Sequence, residues 1–88
     1  MFVCLRYMIF IDQSGFDGIF EKAMAAEAIW ALSFPEENKK ILKSDEKLMR
    51  RLEIHAATSR EQYEHCFNID AIVFNFVIRN LSNFISFF

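Results

Sequence analysis

From Ile19 to Leu32 apolar residues run almost without interruption, Glu21, Lys22 and Glu27 being the only charges. That pattern predicts a helix buried on several sides. Asp12-Gln13-Ser14-Gly15 and Asp17-Gly18 separate it from the apolar stretch Met1 to Ile11, so the helix is expected to begin near Gly18 and to end near Ser33. Pro35 then suits the first turn of a new helix, where its missing N–H is harmless and Glu36 and Glu37 face the positive end of the helix dipole. Beyond it the periodicity changes. Ser44, before Asp45 and Glu46, reads as the next N-cap, with Ile41, Leu48, Met49, Leu52 and Ala56 on one face and Lys47, Arg50, Arg51 and Glu53 mostly on the other. Thr58 with Glu61, or Ser59 with Gln62, has capping-box spacing and is expected to open a last helical region that runs into the phenylalanine-rich end. The whole chain is expected to be helical.

The string Ala25-Ala-Glu-Ala-Ile-Trp-Ala-Leu-Ser-Phe-Pro-Glu-Glu-Asn-Lys-Lys-Ile41 joins the apolar helix to the charged one through a single proline corner. It resembles the armadillo repeat, in which a third helix of this character packs on its own unit and on its neighbours. A weaker second copy, Ile78-Arg79-Asn80-Leu81-Ser82, follows Ile29-Trp30-Ala31-Leu32-Ser33 after 49 positions, slightly beyond a period of about 40–47. The resemblance implies an all-α, armadillo-like α-solenoid fragment of about one complete repeat with partial flanking repeats. Residues 15–57 are then the repeat core. Residues 1–14 are a partial preceding repeat or N-terminal helix, and 58–88 a partial repeat or atypical cap, with a few residues inserted between Arg60 and Asn68. Armadillo units bury their apolar faces by stacking, so two incomplete units are expected to be unstable or to self-associate through open faces.

What the resemblance implies for function is a non-enzymatic protein-interaction scaffold that holds a partner on its third-helix surface. Peptide-binding armadillo proteins often present an asparagine just before the Leu-Ser pair; the first copy here has Ala31 and the second has Asn80. Importin-like repeats carry a tryptophan one turn before that asparagine, where this chain has Glu27, so a nuclear-import groove is not implied. Trp30 matches the tryptophan found directly before the asparagine in other repeats, where it is chiefly a packing residue. The expected contact ladder is therefore Glu27, Trp30, Ala31, Phe34, Arg79 and Asn80.

Composition narrows the alternatives. A chain of 88 residues makes one small domain, and a hydrophobic fraction of 53% with 11 phenylalanines is too high for a disordered linker. The net charge is −2, and the lysines and arginines from Lys39 to Arg60 alternate with Asp45, Glu46 and Glu53, which does not imply a nucleic-acid partner. Cys4 and Cys66 lie far apart in apolar surroundings typical of free thiols, and the stretch before Ile11 lacks the marks of a secretory peptide. A cytoplasmic setting is the default.

Neither metal nor cofactor is expected. His55, His65, Cys4 and Cys66 offer no C-x-x-C or H-x-x-x-H pair, and a Cys66 nucleophile activated by His65 is not expected either, because adjacent residues on a helix point about 100° apart and seldom share a hydrogen bond. The rival reading is a small membrane-associated helical protein anchored by Ile69 to Phe88. It would place Arg79 near mid-membrane, at a cost of about 2.5–3.5 kcal/mol.

Overall fold

The computed structural model describes residues 2–12 and 18–86. The described residues form five helices: α1 (Phe2–Asp12), α2 (Ile19–Leu32), α3 (Glu36–Ser44), α4 (Glu46–Tyr63) and α5 (Ile69–Ser86). Residues 13–17 of the expected loop before α2 lie outside the described residues.

Polar side chains set the helix boundaries. At the end of α2, Ser33 Oγ donates to the Trp30 carbonyl at 2.6 Å and Asn38 Nδ2 donates to the Leu32 carbonyl at 2.9 Å, so carbonyls that a helix end leaves orphaned are satisfied across the corner. Pro35 stands at the N-cap of α3 in extended conformation, one position earlier than the first-turn placement expected of it. Its fixed φ then sets the direction in which α3 leaves.

Two caps differ from the sequence reading. Asp45, not Ser44, caps α4: its carboxylate accepts the Leu48 N–H at 3.1 Å, while Ser44 Oγ turns back to the Ile41 carbonyl. No helix opens at Thr58 or Ser59, because the Thr58 hydroxyl bonds the Ile54 carbonyl of its own helix at 2.9 Å and α4 continues to Tyr63. The break falls at 64–68, and Asn68 caps α5 by accepting the N–H groups of Asp70 at 2.8 Å and Ala71 at 3.3 Å.

The most extensive packing joins α2 to α5, followed by α4 to α5 and α1 to α2, while α3 touches its neighbours sparsely. Ala23, Ala25 and Ala26 keep α2 narrow, so helices approach it closely on more than one side. Leu42 alone anchors α3 in the core. Ile41, expected on one buried face with Leu48, Met49, Leu52 and Ala56, is exposed, because it belongs to α3, a helix separate from theirs, whose core position is Leu42. Helices α4 and α5 form a hairpin, pinned where Ser59 Oγ donates to Asn75 Oδ1 at 3.2 Å and where the Tyr63 and Phe74 rings meet edge-on at 5.9 Å.

Burial repeats along the chain. Shifting α1 by 48 positions onto α4 pairs buried Cys4 with Leu52 and Ile11 with Ser59, half-buried Tyr7 with His55, and exposed Ile9 with Ala57 and Phe10 with Thr58. Shifting α2 by 49 onto α5 pairs buried Lys22 with Ala71, Ala25 with Phe74, Ile29 with Ile78 and Ser33 with Ser82. The described residues thus include two packed helix pairs, α1–α2 and α4–α5, whose burial agrees at these positions but not at Met8 and Ala56, Ile19 and Asn68, Ala23 and Ile72 or Ala26 and Asn75. Asp12 bridges the pairs by an ion pair with Arg51 and a 2.7 Å contact with His55.

Candidate functional site

The second half of α2 presents Glu27, Trp30 and Ala31, the corner after it adds Phe34, and α5 brings Val77 against them. Together they line an open groove of about 200 Å³. Phe34 meets Phe84 edge-on at 5.8 Å and lies 6.3 Å from the Trp30 ring, so Val77 and Phe84, two turns apart, follow the stripe in the same direction as α2. The Lys39 ammonium of α3 sits 4.3 Å above the Phe84 ring. Its positive charge over the ring face adds a cation–π attraction at the end of the groove.

Trp30 is half-buried, and its Nε1–H is buried with no hydrogen-bond partner in the structure. A donor of that kind costs about 1–3 kcal/mol if it stays unsatisfied. The groove is too small for the 300–1,000 Å³ typical of small-ligand pockets and suits one inserted side chain or a peptide segment lying across it.

Of the six residues of the expected ladder, Glu27, Trp30, Ala31 and Phe34 share this groove. Arg79 does not. It follows Val77 by two positions, about 200° round α5, and is exposed on the side away from α2. Asn80 is half-buried with its Nδ2 donating to the Phe76 carbonyl at 2.6 Å, so its amide is engaged with its own helix. Under the 49-residue shift these two residues are the counterparts of Trp30 and Ala31.

Sequence reasoning missed Val77, Phe84 and Lys39 as groove residues. The seven-residue spacing of Val77 and Phe84 was a usable signal, since it places them on one helix face. Lys39 opens a run of mixed charges, and nothing local marks its partner.

Titratable groups elsewhere show no convergent chemistry. Burial pushes the Cys4 thiol up, and it pushes the Lys22 ammonium down from its ordinary range. Both cysteines are free. Among the described residues no group of three or more histidine, cysteine, aspartate or glutamate side chains is placed to hold a metal ion. His65 and Cys66 fall in the turn after α4, His65 exposed and Cys66 half-buried. No protein family model, curated protein or solved structure matches this chain.

Proposed function

We propose that this chain is a non-enzymatic, armadillo-like scaffold that holds an extended segment of a partner protein along the groove of Glu27, Trp30, Ala31, Phe34 and Val77. The observation that carries the reading is the open, mostly apolar groove of side-chain size in which Ala31 and Phe34 stand exposed beside Trp30. An apolar side chain of the partner would lie over the exposed Ala31 and Phe34. The armadillo-like arrangement is supported by the recurrence of burial between the two helix pairs and by the packing of α2 on α5, the two helices of third-helix character.

The membrane-anchor alternative has less support. It asks α5 to leave a core in which Phe74, Ile78, Leu81 and Ile85 are buried, and no helix among the described residues is long and apolar enough to cross a membrane. Free thiols at Cys4 and Cys66 suit a reducing compartment such as the cytoplasm.

Selection of a displayed random nonapeptide library on the full chain tests the scaffold reading. Enriched peptides are expected to carry an apolar residue at one fixed position, to change the emission of Trp30, the single tryptophan, and to lose binding to Ala31→Arg. Enrichment that is equal on wild type and Ala31→Arg, with helicity of both intact, would overturn it.

A further inference from the structure

Among the departures from the repeat of burial, two sets lie at the outer ends of the helix pairs. At the first end, Tyr7, Phe10, Glu21, Met24, Ala25 and Ala28 line an open, mostly apolar groove of about 270 Å³ between α1 and α2. Met24 is 54% exposed, whereas its counterpart Val73 on α5 packs against the core. Ala28 lies in that open groove and is half-buried, whereas its counterpart Val77 is buried. At the other end, Ala23 and Trp30 of α2 have Ile72 and Arg79 as counterparts, and Ile72 is 47% exposed where Ala23 is buried. Phe76, the counterpart of Glu27, is 61% exposed on the same side of α5.

We propose that a second copy of this chain fills the first groove, the Ile72–Phe76–Arg79 face of α5 in one copy seating on the α1–α2 groove of the next. The inference rests on the two-unit repeat reading. The contact continues an interface that already exists within the chain: the shift that carries α1–α2 onto α4–α5, applied once more, places the next copy's α1–α2 where no described residue stands. That same step sets Arg60, the counterpart of Asp12, beside Tyr7, the counterpart of His55, so an intramolecular Asp12–His55 contact becomes an arginine over an aromatic ring. Charge does not oppose the contact, since Arg79 lies on one face, Glu21 on the other, and the chain carries only −2. The joined faces differ, so the association is head to tail and does not close on itself.

Sedimentation equilibrium on the full chain and two surface variants, Met24→Glu and Phe76→Glu, tests the proposal, with Phe10→Glu and Ile72→Glu replacing either variant if it loses helicity. Wild type is expected to grow past dimer with concentration, and each variant alone to remain at the 10.4 kDa monomer mass. An equimolar mixture of the two is expected to give a 1:1 dimer and nothing larger, because one undamaged face survives on each. Self-association retained by Met24→Glu, a mixture that stays monomeric, or a wild type monomeric at every concentration would overturn it. Ala31→Arg is expected to stack as wild type does, so loss of peptide binding and loss of stacking are read independently.

Discussion

His55 Nε2 stands 2.7 Å from Asp12 Oδ1, fastening α4 to α1 across 43 positions of sequence. Arg51, one turn earlier on α4, pairs with the other oxygen of the same carboxylate. Burial first, then the charges of Lys22 and Arg51, hold the His55 imidazole below its ordinary value of 6.5, so the neutral ring with Nε2–H donating to Asp12 is the form that the fold favours.

Acidification should therefore loosen the protein. A group whose folded pKa is depressed leaves the unfolded chain binding more protons, so the stability from His55 is complete above 6.5 and is lost as pH falls through the lower folded value. Thermal melts between pH 7.5 and 5.5 should show a falling midpoint in wild type and a flatter profile in His55→Gln. A midpoint that rises on acidification would mean that Asp12 outweighs burial and favours the charged ring.

Trp30 is half-buried, so Trp30→Ala should cost about 1–3 kcal/mol, below the 3–5 of a fully enclosed tryptophan. Trp30→Phe keeps most of the ring area and removes the unpartnered N–H, and it should lie within about 1 kcal/mol of wild type. Urea unfolding followed by circular dichroism compares them. A loss from Trp30→Phe as large as that from Trp30→Ala would show that the indole N–H has a stabilising partner.

Lys39→Ala should cost about 0.5–1 kcal/mol through the lost contact with Phe84. The same substitution in a Phe84→Leu background should cost less, and a double-mutant cycle with no coupling would remove Phe84 as the partner.

Leu52 is fully buried and Ile54, two positions on, is half-exposed. Leu52→Ala should cost about 2–5 kcal/mol, enough to unfold a domain of this size, while Ile54→Ala should stay within about 0.5 kcal/mol. At the head of the same helix Asp45→Ala should cost about 0.5–2 kcal/mol and Ser44→Ala markedly less, since Asp45 carries the cap. Equal losses within either pair would contradict the assigned orientation of α4.

The bounds of α2 could be read from the chain because Gly18 and the Ser33–Pro35 corner act locally, through backbone freedom, a side-chain bond and a missing donor. The boundary between α4 and α5 could not, since a Thr-x-x-Glu spacing is equally compatible with a hydroxyl that bonds back to its own helix, as Thr58 does. Asn68, the actual cap, lacks a glutamate or glutamine three residues later. The stripe Glu27, Trp30, Ala31 was legible as one helix face, which Phe34 extends into the corner. Its completion by Val77 and Phe84 depends on long-range packing that periodicity does not encode. Arg79 occupies the same register as Trp30, yet its surroundings differ because no third helix pair lies beyond it among the described residues.

The alanines of α2 have a metric consequence. Ala23 lets α5 draw close inside one chain, but its counterpart Ile72 is bulky, so the spacing between copies would be wider than the spacing within one. A fibre built from this chain would alternate short and long intervals, and its axial repeat in diffraction would be the length of a whole chain, twice the rise of a helix pair.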